Sequence, residues 1–329
     1  MPARPPLPHR RRRQHGAALL TAMIIVTLVA TLAAAMVWQQ WRAVQVESAE
    51  RARAQAAWIL SGALDFAKLI LREDQKSANG RQFTALTEPW ATPLAESRLS
   101  TFLAIDKSNA DDGPEAFLSG NIADAQARYN LRNLVAPASG TAAAPVPAQV
   151  VAAERDTLRR LCEILSIETG VADRIANRLL EAITAPSGAA PLRPQTVAQL
   201  SWFGVDPASV QALQPYVVLL QDPTPVNVNT ASKEILQAVL NVDAGTAERI
   251  VQTRQRTPFK DPKNLTDQFA PSAPPTAKLA VLSSFFEVRG RLRLVDRVLV
   301  ERSLVQRLPT GQVDVLQRER IASLEQVGG

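Results

Sequence analysis

The stretch "RRRRQHGAALLTAM", residues 10–23, runs four arginines into an oily tract across a single glycine, Gly16. From Ala17 to Trp41 there follow 25 residues without a charge. At ~1.5 Å of rise per residue, a helix of that length crosses a bilayer core of ~30 Å. Ala, Leu, Val and Ile dominate the tract, and Trp38 and Trp41 close it with a residue type that suits the membrane interface. Arginines on the leading side assign that end to the cytoplasm and the remainder of the chain to the other side. A cleaved secretory signal has a shorter apolar core with a small-residue cut site behind it. Here the punctuation lies in front, so a cut after Gly16 removes the basic leader and keeps the membrane helix.

The charge of the chain collects at the same place. Its formal net charge is +6, with 37 basic and 31 acidic residues. Residues 1–16 hold five of the arginines and no acid, which leaves 32 basic residues against the 31 acids beyond them. A nearly neutral body lacks the footprint of a phosphate-backbone binder. Both histidines, His9 and His15, precede Gly16, and Cys162 is the single cysteine. Ser-His-Asp and Cys-His machinery, a His/Cys zinc site and an internal disulfide are therefore excluded. Cys162 sits in "LRRLCEILS", among apolar helical neighbours, and reads as a core residue.

Beyond the membrane the helix is expected to continue. Ala49, Ala52, Ala56, Ile59, Ala63, Phe66 and Ile70 alternate in steps of three and four, which predicts one apolar stripe. The stripe stops at "EDQKSANG", where Asn79 and Gly80 are breakers. "GNIADAQARYNLRNLV" combines a turn-like Gly120-Asn121 with a short strand pattern, and "APASGTAAAPVPAQ", 136–149, reads as a surface linker. Residues 151–219 are helical in pattern, and short helices of this kind need one another. "VNVNTASKEILQAVLNVDAGTAERIVQTRQRTPFKDPKNL", 226–265, resembles a helix-hairpin-helix unit. At the end, Glu287, Arg289, Arg291 and Arg293 alternate with Val288, Gly290, Leu292 and Leu294. A period of two with one charged face describes a half-solvated antiparallel strand, and "QVDVLQRER" adds a further strand. The expected fold class is α+β: a long N-terminal helix on an antiparallel sheet, with an all-helical segment between strands. The boundaries expected are 1–16 leader, 17–41 membrane helix, 42–135 and 276–320 the two parts of the sheet domain, 136–150 linker, 151–275 helical insertion and 321–329 tail.

The basic leader, the glycine and the apolar helix together resemble a prepilin leader. That resemblance implies cutting between Gly16 and Ala17 by the prepilin peptidase, and N-methylation of Ala17. Pilin-like subunits commonly carry a glutamate at the fifth mature position; here the residue is Thr21. A carboxylate within a membrane helix costs ~2.5–3.5 kcal/mol on insertion scales and needs a partner, which in the family is the amine of the subunit ahead. A subunit with no neighbour ahead has no use for it. "EPWATPL", "GNIADAQARYNLRNL", "PTPVNVNTAS" and "FFEVRGRLRL", in this order behind such a leader, resemble the general secretion pathway protein K family, the large minor pseudopilins of type II secretion. The resemblance implies a pilin-like fold with a helical insertion, and a single-pass place in the inner membrane with the body periplasmic. It also implies a position at the pseudopilus tip, initiating and capping the fibre. The partners implied are the other minor pseudopilins, the major pseudopilin, the prepilin peptidase, the inner-membrane secretion platform and the lipid bilayer; no nucleic acid and no cofactor are implied.

Two other classes stand beside this one. The alternative is a membrane-anchored helix-hairpin-helix DNA-binding protein of the competence type. Against it, the hairpin "LNVDAGTA" brings Asp243 toward any phosphate, and residues 226–270 carry six bases and five acids. An enzyme would have to work with carboxylate, serine/lysine or tyrosine chemistry, and none is expected. "DKSNADDGPE", 106–115, offers calcium the oxygens of Asp111, Asp112 and Glu115, though without EF-hand spacing, and a solvated loop is the expectation.

Overall fold

The computed structural model describes residues 15–77, 83–99, 116–141, 144–185, 191–270, 278–294 and 297–321. Two units divide the chain, Met1–Trp58 and Ile59–Gly329. Helix α1, His15–Ser77, supplies the described part of the first unit and the opening element of the second.

In the second unit the sheet has five antiparallel strands in sequential order: β1 (Leu94–Arg98), β2 (Ala116–Asp124), β3 (Phe285–Leu294), β4 (Arg297–Arg307) and β5 (Val313–Ile321). The period-two pattern of β3 sorts its side chains. Phe286 and Val288 turn into a core with Leu64, Ala67 and Leu71 of α1, Trp90, Val305 and Val313. Arg291 and Arg293, at the alternate positions, reach Glu96 on β1 at 2.9 and 2.6 Å, and Arg293 lies 3.9 Å over the Phe117 ring. The "EPW" triplet serves the same core. Trp90 is packed edge-on against Phe286, 5.2 Å between centroids, and its indole N–H donates to Glu88 at 2.6 Å.

Three stretches depart from expectation in detail. The buried stripe of α1 is Ala56, Leu60, Leu64, Ala67 and Leu71: it shares Ala56 with the row read in the sequence and then runs one residue later, and Phe66 of that row is exposed. Both rows have three-four spacing on a helix whose apolar arc is wide, so periodicity does not choose between them. Gly120-Asn121 is no turn: both lie inside β2, paired with Gly290 and Arg289 of β3. These glycines permit close approach. A Cβ on Gly120 would stand 2.7 Å from the Arg289 carbonyl oxygen, and one on Gly290 3.2 Å from Leu60. The 136–150 stretch carries two short antiparallel pairs, 135–136 with 149–150 and 139–141 with 144–146.

Between β2 and β3 the chain leaves the sheet and builds a helical core. Its helices are α2 (Ala152–Ile164), α3 (Gly170–Thr184), α4 (Pro207–Leu213), α5 (Lys233–Leu240), α6 (Ala244–Arg256) and α7 (Pro262–Phe269). Asp206, Ser232, Asp243 and Asp261 cap four of them by accepting a backbone N–H of the first turn, which satisfies donors the helix itself leaves open. Leu158, Leu161, Cys162, Ile175, Leu213, Leu236 and Ile250 are buried in one shared cluster. Burial pushes the Cys162 thiol up to about 11.

Candidate functional site

Two features carry chemistry beyond packing: the first half of α1 and a polar seam between the sheet and the helical segment. Leu19, Ile24, Val29, Leu32 and Val37 of α1 are exposed by more than half their surface. Such a contiguous apolar surface marks a membrane or protein contact, and the helix has the length and composition to cross a bilayer. Its threonines are disarmed within the helix. Thr21 donates its hydroxyl to the Ala17 carbonyl at 2.8 Å, Thr27 to Ile24 at 2.9 Å and Thr31 to Leu28 at 2.8 Å. In hydrocarbon every such group must be satisfied internally, and Thr21 meets that demand without a partner subunit. Trp38 and Trp41 lie 5.5 Å apart at the far end of the tract. Gly16 and Ala17 stand at the start of α1.

The seam is built by the "NIADAQARYNLRNL" and "PTPVNVNTAS" stretches. Asp124, at the end of β2, is 4% exposed and accepts four hydrogen bonds. Its Oδ1 takes the Gln126 N–H at 2.8 Å; its Oδ2 takes Asn227 Nδ2 at 3.0 Å, the Thr230 hydroxyl at 2.6 Å and the Ser283 hydroxyl at 2.6 Å. Burial raises the Asp124 carboxyl above its ordinary range, and the hydrogen bonds of Ser283 and Thr230 pull the other way. Around this hub the other side chains interlock. Gln126 bridges the Pro225 carbonyl and the Ser284 N–H. Asn133 donates to the Thr224 carbonyl and accepts from the Thr224 N–H, at 2.8 and 2.9 Å. Asn229 does the same with Phe259, at 2.9 Å each way. Arg307 of β4 closes the ring, pairing with Asp74 of α1 at 3.0 Å and donating to Thr84 and the Ser283 carbonyl.

Sequence reasoning singled out these stretches but not the seam they form. The available signal was the density of Asn and Thr in "NVNT" ahead of a helix start: side chains of this type bond nearby backbone and fix turns.

In the hairpin, α5 and α6 are joined through Asn241, which adopts a left-handed conformation, φ 53°. Asp243 accepts from the Thr246 N–H at 3.0 Å and its hydroxyl at 2.7 Å. The Thr246 hydroxyl bond holds the Asp243 carboxyl below its usual range. A carboxylate thus occupies the α6 N-terminus, the place where a phosphate would dock. Arg254 of α6 is buried, donates to the Val228 carbonyl at 2.6 Å, and is brought down to about 10 by burial. Asp111, Asp112 and Glu115 lie outside the described residues.

Residues 226–288, the span from the seam through the hairpin to β3, match the family model described as type II secretion system (T2SS), protein K. The chain is 30% identical to the type II secretion system protein K of Pseudomonas aeruginosa, over 94% of this chain and 93% of that protein. Against the protein of the same name from Pectobacterium carotovorum the identity is 28%, over 94% and 97%. Among solved structures it resembles a chain of the GspK-GspI-GspJ complex from the enterotoxigenic Escherichia coli type 2 secretion system. The TM-score is 0.63 at 22% identity, covering 84% of this chain and 99% of that one, a likeness of fold.

Proposed function

The chain belongs to the type II secretion system protein K family, and from that premise we propose that it is a minor pseudopilin, anchored by the 17–41 tract and working by assembly rather than catalysis. The observation that carries the reading is the exposed, internally satisfied apolar rod directly behind Gly16, on a chain that shares nearly its whole length with protein K of Pseudomonas aeruginosa.

On this reading the prepilin peptidase cuts between Gly16 and Ala17, and Ala17 is then N-methylated. The rod holds the subunit in the inner membrane with its N-terminus cytoplasmic and its body periplasmic. Lateral packing in lipid rests on van der Waals contact, which small residues such as Ala33, Ala34 and Ala35 favour. Thr21, in place of a glutamate, suits a subunit with nobody ahead of it. The helical segment between β2 and β3 is an insertion that sits over the top of the fibre. A head-to-tail assembly blocked on one surface starts there and is not extended from that end. The proposed partners are the other minor pseudopilins, the major pseudopilin, the peptidase and the inner-membrane platform; the structural relative solved in a complex with two further proteins supports the first of these.

The test is co-expression of the full chain with the other minor pseudopilins, with the N-terminus of the recovered protein read by mass spectrometry. A ternary complex whose subunit begins at a methylated Ala17 is expected. A chain that keeps its arginine leader, or that stays alone and retards DNA in a shift assay, overturns the proposal in favour of the competence-type reading.

A further inference from the structure

A second polar feature lies away from the seam. A cleft of about 530 Å³ opens between β4, β5 and the helical segment, within the ~300–1,000 Å³ typical of ligand pockets. Arg132, Arg193 and Gln317 line it together with Leu179, Leu304 and Leu316.

Arg132 is held rigidly. It sits in the short turn Leu131–Leu134, where Asn130 accepts its backbone N–H at 3.0 Å and Asn133 is locked to Thr224 on both sides. Its Nε and Nη1 are shielded from solvent and have no hydrogen-bond partner. Burial lowers the Arg132 guanidinium from its usual value, and the charge of Arg193 lowers it further; Asp222 acts in the opposite sense. Among the described residues neither arginine is in an ion pair. Two like charges share one cleft, and one of them has shielded donors without a partner, an arrangement that attracts an anion. Water would satisfy the donors but would not neutralise the charges. An anion does both, and a guanidinium matches a carboxylate in shape as well as in sign. The leucines that share the lining ask for an apolar body beside the charged group.

We infer that this cleft binds a carboxylate carried on an apolar stem, supplied either by a small molecule or by an acidic residue of a peptide. The inference does not depend on where the subunit sits in a fibre.

The test uses the full chain in lipid nanodiscs and 19F NMR with 4-fluorobenzoate, against 4-fluorobenzamide as the neutral shape control. Binding of the benzoate at least ~10-fold tighter than the amide is expected, and a loss of ~10-fold or more in Arg132→Gln and in Arg193→Gln. Arg193 is exposed, so its variant decides the matter even if Arg132→Gln fails to fold. Displacement by acetyl-Leu-Glu-Phe-amide, and not by its Gln analogue, identifies a peptide as the source. Benzoate binding that the peptide leaves untouched identifies a small molecule; both outcomes support the site. Equal binding of benzoate and benzamide, or wild-type binding by Arg193→Gln, means a merely hydrated cleft and overturns it.

Discussion

Replacing Asp124 by alanine strips the acceptor from four donors at once. Asn227 keeps the Thr84 carbonyl at 3.0 Å, and the Thr230 hydroxyl keeps a long contact with the Asn227 carbonyl at 3.4 Å. The Gln126 N–H and the Ser283 hydroxyl have no such reserve. A buried donor left without a partner costs ~1–3 kcal/mol, so two of them put the expected destabilisation at ~2–6 kcal/mol. Against a total stability of ~5–15 kcal/mol, that is a large fraction. The assay is urea unfolding of the full chain in detergent, followed by the fluorescence of Trp90. This tryptophan is 1% exposed, whereas Trp38, Trp41, Trp58 and Trp202 are all exposed. A pH series adds a second readout. Burial raises the folded-state pKa of Asp124, so its contribution is fully present below the unfolded value of ~3.9 and is lost as pH rises through the folded one. Wild type should therefore lose stability relative to Asp124→Asn as pH rises through that window. An Asp124→Ala protein within ~1 kcal/mol of wild type would refute the seam as an energetic hub.

Trp90→Ala should cost ~3–5 kcal/mol in the same assay read by circular dichroism, because it empties the core under α1 and removes the indole N–H that Glu88 accepts. Gly120→Ala drives a Cβ to 2.7 Å from a backbone oxygen of β3 and should cost ~1–3 kcal/mol. Gly62→Ala, where nothing lies within 4 Å, should instead be neutral or stabilising by ~0.5–1 kcal/mol as a helix substitution. Cys162, with its thiol pushed up to about 11, should resist a thiol reagent at pH 8 until the chain is unfolded, since about one thiol in a thousand is then ionised; prompt labelling of the native protein would show that the helical core opens.

The long helix and the charged-face strands were legible because each rests on a strict local period. An uncharged run of bilayer length and an alternation of Arg with Leu survive any reasonable tertiary context. The facing of α1 beyond Ala56 was not legible, because Leu60–Leu64–Ala67 and Ile59–Ala63–Phe66 are both apolar rows, and it is Gly290, far away in sequence, that lets Leu60 come close. Gly120-Asn121 misled for a related reason. Glycine signals either a turn or a close approach, and the partner that decides between them is Arg289, a long-range neighbour. The seam was invisible as geometry, since Asp124, Asn227 and Ser283 meet across more than a hundred residues of chain, although the Asn- and Thr-rich segments that build it stood out by composition.

The two contacts of the sheet differ in how much of each is polar, and the difference bears on function. Toward α1 the contact is largely apolar, with Leu64, Leu71, Trp90, Phe286 and Val305, and carries the buried Arg307–Asp74 pair at its end. Apolar burial is strong but non-directional, so such a face tolerates small shifts. Toward the helical segment an apolar cluster of Val218, Leu220 and Phe285 is joined by a ring of Asp, Asn, Gln, Thr and Ser side chains, most of them holding a donor and an acceptor at once. A slip of one residue there would leave several buried groups unsatisfied, at ~1–3 kcal/mol each. The seam therefore fixes the orientation of the helical segment on the sheet more than it adds net stability. A subunit proposed to close the end of a fibre needs that property, because its blocked surface has to be presented at one angle each time it is assembled.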